Sequence, residues 1–100
     1  MILEHALLTV RPGEEAAFEA AFAVAAPIIS SMEGFSSLRL ERSLEAPLRY
    51  LLLVEWRSLA DHVEGFRRHP DYARWRALLH HFYEPFPEVL HFETVATSGG

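Results

Sequence analysis

Along Tyr50–Trp56 the chain reads Tyr-Leu-Leu-Leu-Val-Glu-Trp, apolar everywhere except Glu55. Neighbouring side chains of a strand point to opposite faces, so Tyr50, Leu52, Val54 and Trp56 line one side while Leu51 and Leu53 line the other. Both sides of this strand need cover. A chain of 100 residues holds only enough helix to cover one face of a four-stranded sheet, so a second copy of the protein, or a ligand, is expected on the other.

The flanking segments supply the rest of such a sheet. Ile2–Val10 is an apolar-biased strand that ends at the turn Arg11-Pro12-Gly13, and Glu14 and Glu15 then suit the positive end of a helix. In that helix Phe18, Phe22, Ala25 or Ala26, Ile29 and Met32 recur at three- and four-residue steps as one apolar stripe. Pro27 lacks a backbone donor and predicts a kink or split near Ala26. Gly34 ends the element. Phe35–Arg42 sets Leu38 and Leu40 against Arg39 and Glu41, a strand wet on one side. Glu45-Ala46-Pro47 then turns it into strand 49–56 as a hairpin.

Ser58 suits the N-cap of a short helix over Leu59–Arg68, with Leu59, Val63 and Phe66 inward, and Pro70 suits the first turn of another running to about Tyr83. The second helix carries Tyr72, Trp75, Leu78, Leu79 and Phe82 on one stripe. Pro85 and Pro87 stop it, and Val89–Ala96 reads as a last strand. The order β-α-β-β-α-β defines an α+β, ferredoxin-like split βαβ fold: an antiparallel four-stranded sheet with helices on one face. One domain is expected over residues 1–97, with 98–100 a disordered tail.

Composition narrows the chemistry. The net charge is −5, the nine basic residues are all arginine, and cysteine is absent. No basic cluster extends beyond Arg67-Arg68, which argues against a nucleic-acid surface. Without lysine, asparagine or glutamine, Schiff-base chemistry and amide oxyanion donors are excluded. The first residues lack a basic segment followed by a long apolar run, and no apolar run approaches the ~20 residues of a membrane span, so a cytoplasmic protein without membrane contact is expected.

Several of these features carry a family resemblance. Val10-Arg11-Pro12-Gly13 before the first helix, Gly34 before strand two, Val54-Glu55-Trp56-Arg57-Ser58 closing strand three and the Pro70…Tyr72…Trp75 helix, taken with the element order, resemble the antibiotic biosynthesis monooxygenase family of dimeric α+β barrels. The resemblance covers residues 1 to about 96. It implies a homodimer whose sheets face each other, and an activity among cofactor-independent oxygenation of polyketide aromatics, quinol oxidation and haem degradation. The haem-degrading branch implies an Asn, a Trp and an axial His where this chain has Ala6, Phe66 and Arg76, so haem is disfavoured. The oxygenase branch implies an aromatic residue at the end of strand three, matched by Trp56, and in some members a polar residue four positions earlier, where Leu52 stands.

The favoured reading is therefore a monooxygenase that handles a small aromatic or quinone-like compound with no cofactor. A non-catalytic, ligand-binding or stress-related dimeric barrel is the alternative, since Leu52, Ala6 and Phe66 replace polar groups. Such oxygenation needs a general base near neutral pKa, and His5 and His62 are the candidates. His62 either faces the sheet beside Phe66 or sits at the surface next to Asp61. His5 shares a strand face with Leu3 and Leu7 and points into the pocket or into a dimer interface. Trp56, Phe66, Tyr72 and Trp75 are candidate substrate-contacting rings, with core packing as the alternative for the last two. Arg76, if inward, would bind an anionic substrate. His91 and Glu93 share a strand face, but no HxxxH or HxH spacing supports a metal site and none is expected.

Overall fold

The computed structural model describes residues 1–99. Four strands, β1 (Ile2–Thr9), β2 (Phe35–Arg42), β3 (Arg49–Trp56) and β4 (Val89–Glu93), form one antiparallel sheet in the order β2-β3-β1-β4. Helices α1 (Glu15–Ser30), α2 (Asp61–Phe66) and α3 (Tyr72–Leu79) complete the ferredoxin-like α+β order, and a single 3₁₀ turn, His80–Phe82, extends α3. The hairpin between β2 and β3 is present: Ala46 N–H donates to Ser43 Oγ at 3.0 Å inside its turn.

One face of the sheet is packed. Ala6 and Leu8 of β1, Val10 just beyond it, and Tyr50, Leu52, Val54 and Trp56 of β3 are buried against Phe18, Phe22, Ala25, Ile28 and Ile29 of α1 and against Phe66, Trp75 and Leu79. Phe18 is the hub, meeting Tyr50, Phe82 and Tyr83 edge-on at centroid distances of 5.0, 5.6 and 5.9 Å, each such pair adding roughly 0.5–1.5 kcal/mol beyond area burial. The other face is open. Leu7 (48 % exposed), Leu90 (43 %) and Phe92 (47 %) stand there with the half-buried Leu51 and Leu53, as the two-sided apolar pattern of β3 requires.

The boundaries depart from expectation in four places, each with a local cause. Pro27 does not split α1, which runs unbroken. Both Pro27 and Ala23, whose carbonyl loses its helical donor, lie on the exposed side of the helix, where water can hydrate the freed group. The stretch after Ser58 does begin at a cap, with Asp61 N–H donating to Ser58 Oγ at 3.2 Å. It then winds as a wide π turn, closed by Arg67 N–H on His62 C=O at 3.0 Å. The wider turn moves the inward line from Leu59, which is exposed, to His62 and Phe66.

The expected helix to Tyr83 narrows into the 3₁₀ turn at His80, and Tyr83 is extended, bridging to Val10. The final strand stops at Glu93, because the pairing with β1 reaches its start there: Ile2 lies opposite Glu93. Residues 94–99 carry no regular structure. The expectation of a disordered tail falls partly on residue 100, which lies outside the described residues. No helix among the described residues is long and apolar enough to cross a membrane.

Candidate active site

A cavity of about 430 Å³ opens between the packed face of the sheet and the helices, in the size range of small-ligand sites. Its walls are the sheet residues Ala6, Leu8, Leu52 and Val89 and the rings of Phe66, Tyr72, Trp75, Tyr83 and Phe86. Its polar groups are few: Glu4, His62, Arg67, His80 and the two tyrosine hydroxyls.

Glu4 is the unexpected member. It alternates with Leu3 and His5 on β1 and so projects inward beside Ala6 and Leu8, only 6 % exposed. A carboxyl in such a place needs partners. Trp56 Nε1–H donates to its Oε1 at 2.9 Å, and His62 Nε2 lies 3.2 Å from the same oxygen. Oε2 has no protein hydrogen-bond partner among the described residues. Burial pushes this carboxyl above its usual range, against the opposing pull of the Trp56 hydrogen bond and the Arg67 charge.

His62 (3 % exposed) stacks on the Trp56 indole, centroids 5.3 Å apart and planes 21° apart. Its Nδ1 lies 2.8 Å from His91 Nε2. Burial, reinforced by the charges of Arg67 and His91, lowers His62 to about 3, and burial followed by Arg67 lowers His91 too. Both imidazoles are therefore neutral at pH 7, and the contact with Glu4 is not an ion pair. A bond between two neutral rings needs one N–H and one lone pair. The arrangement that serves every contact has His91 Nε2–H donating to His62 Nδ1, leaving His62 Nε2–H for Glu4. His91 is available because Glu4 and His91 are register partners on β1 and β4, facing the same side of the sheet.

The structure sorts the residues singled out from sequence. His62, Phe66, Tyr72 and Trp75 line the cavity together. Trp56 does not line it: fully buried, it stands behind and holds Glu4. His5 projects from the opposite face of the sheet, edge-on to Phe92 at 5.5 Å, with its Nδ1 buried and without a partner. Strand alternation forces this, since Glu4 and Ala6 take the inward positions. Arg76 is exposed on the outer side of α3, and the cation at the cavity is Arg67, placed there by the π turn. His91 pairs with His62 rather than with Glu93, and no group of three metal-ligating side chains exists among the described residues. Glu4 and His91 were not legible as site residues. The signal for Glu4 was a lone acid at an inward position of an otherwise apolar strand.

The fold and this cavity place the chain in a known class. It belongs to the antibiotic biosynthesis monooxygenase family, whose model matches residues 1–78. It is similar to the uncharacterized protein YczJ of Bacillus subtilis, 52 % identical over 95 residues that span 95 % of this chain and all of that one. A proposed antibiotic biosynthesis monooxygenase from Bordetella bronchiseptica, solved as a crystal structure, superposes with a TM-score of 0.90 at 39 % identity, covering 95 % of this chain and 97 % of that one. SnoaB, a cofactor-independent oxygenase from Streptomyces nogalater, gives a TM-score of 0.81 at 23 % identity over 96 % and 94 % of the two chains. At that identity the likeness is one of fold.

Proposed function

We propose that the protein is a cofactor-independent monooxygenase acting on a small aromatic or quinone-like compound. The observation that carries this reading is a carboxyl, Glu4, buried in the wall of an aromatic cavity, where burial makes it a stronger base than an ordinary carboxylate. Family membership and the fold shared with a cofactor-independent oxygenase support it. Glu4 rather than a histidine is the base, because His62 at about 3 is too weak a base to ionise a phenol at neutral pH.

The reaction needs little more. Glu4 removes a proton from an acidic C–H or O–H of the bound ring system, the electron-rich ring carbon bonds O₂ as a peroxide, and loss of that carbon's remaining proton with cleavage of the O–O bond brings the transfer to four electrons. A ring CH₂ becomes C=O, one oxygen atom stays in the product and the other leaves as water. No external reductant enters this balance. His62, oriented in turn by His91, donates to Glu4 and so steadies its carboxylate form.

Oxygen uptake over a panel of phenols and quinols tests the proposal. Turnover by the wild type should fall about 10²–10⁴-fold in Glu4→Gln, the usual contribution of a positioned base. Absence of uptake on every compound, or an unimpaired Glu4→Gln, overturns it. The second reading, ligand binding without turnover, is favoured by the apolar character of the other sheet residues at the cavity, Ala6, Leu8, Leu52 and Val89; it would show as ligand-induced thermal stabilisation without oxygen uptake. We further propose a homodimer closed through the open sheet face, supported by the exposure of Leu7, Leu90 and Phe92.

A further inference from the structure

Arg67 is the one residue lining the cavity that is a cation at neutral pH among the described residues, because His62 and His80 are both held neutral by burial. Its position is built rather than incidental. The π turn that drives His62 and Phe66 inward closes on the Arg67 amide at 3.0 Å, which delivers the next side chain to the cavity wall. Arg67 is itself exposed, as is Phe86, so the two mark the mouth, while Glu4 and Phe66 lie deep.

Arg11, Arg39, Arg42 and Arg57 each hold a carboxylate within 4 Å, whereas the Arg67 side chain, like those of Arg49, Arg68, Arg74 and Arg76, has no ion-pair or hydrogen-bond partner among the described residues; of these five, Arg67 alone lines the cavity. Its charge nevertheless reaches inward, acting on Glu4, His62 and His91 alike. A planar guanidinium at the mouth of an aromatic cavity matches an ionised carboxylate or phenolate on a flat ring system.

We infer that the ligand is an aromatic acid: Arg67 binds its ionised group at the mouth while the ring reaches inward to Glu4. The inference rests on the monooxygenase reading for the role of Glu4, but its test does not. Ring burial between Phe66 and Phe86 supplies affinity, and Arg67 supplies the choice between an anionic compound and a neutral one of the same shape.

The experiment is a calorimetric titration of the whole protein with 1-hydroxy-2-naphthoate and with its methyl ester, which differ in charge and little in shape. The wild type should bind the acid at least about tenfold tighter than the ester, a preference that added salt reduces. Arg67→Gln should bring the two affinities together by weakening the acid alone, and Arg67→Lys should restore part of the difference. Equal binding of acid and ester by the wild type, binding of neither, or an equal loss for both in Arg67→Gln overturns the inference. Oxygen uptake is scored separately: an acid that binds with charge preference but is not turned over sustains the ligand class and counts only against the monooxygenase reading.

Discussion

Glu4 and His62 pull the pH dependence of folding in opposite directions, and separating them is the sharpest check on the site. His62 sits at about 3 in the folded chain and near its ordinary ~6.5 when unfolded. Between those values the unfolded chain binds a proton that the folded chain refuses, so stability rises with pH across that window and is lost as pH falls. Glu4 behaves oppositely. Its folded pKa lies above the ordinary carboxylate value, so its contribution is full below the unfolded pKa and is lost as pH climbs toward the folded one.

In the wild type the two slopes offset each other above about pH 4.5. Glu4→Gln removes one of them. A full proton difference changes stability by about 1.4 kcal/mol per pH unit, so His62 alone should make Glu4→Gln roughly 2 kcal/mol more stable at pH 6.5 than at pH 5. Urea unfolding at the two pH values, in Glu4→Gln and in Glu4→Gln/His62→Gln, reads this quantity, because the groups that do not touch His62 titrate alike in both. The single variant should show the larger rise with pH, by roughly 2 kcal/mol. Equal pH dependence in the two variants would mean that His62 is not buried in its neutral form.

Two further outcomes follow from particular contacts. Trp56→Phe removes the 2.9 Å donor to Glu4; it should destabilise the fold by about 1–3 kcal/mol and raise the Glu4 pKa further, read by carboxyl ¹³C titration, and an unchanged Glu4 titration would contradict the contact. Leu53→Glu places a charge in the middle of the open sheet face without touching the cavity, so sedimentation should show a dimer for the wild type and a monomer for the variant. A wild type that sediments as a monomer would refute the dimer.

The architecture was readable because hydrophobic periodicity survives translation into structure. β2 and β3 fall at the residues that alternation and turn chemistry assign them, and the stripe of Phe18, Phe22, Ala25 and Ile29 is the buried line of α1. The site was less readable. Leu59 and Val63 satisfy a 3.6-residue period, yet the π turn overrides it and selects His62, a geometry that apolar spacing does not encode. His5 and Glu4 are adjacent polar residues on one strand, and only the side that α1 and α3 cover decides which of them enters the cavity. His91 acquires its part from a residue 29 positions earlier in the chain, a pairing that requires the sheet order. The choice between Arg67 and Arg76 likewise turns on where a helix ends.

Placing β1 beside β4 makes the first and last strands of the chain neighbours, with residue 4 directly across from residue 91. The machinery is thus fastened like a clasp by the two ends of the chain, and the outer half of that clasp is a five-residue border strand, the kind of segment that peels away more readily than an interior one. Detachment of that strand would withdraw His91 from His62 and open the carboxyl to water from the side. The chemistry of the pocket and the fraying of its border are therefore a single property, and tightening that strand would slow proton exchange at Glu4 without altering any residue the ligand meets.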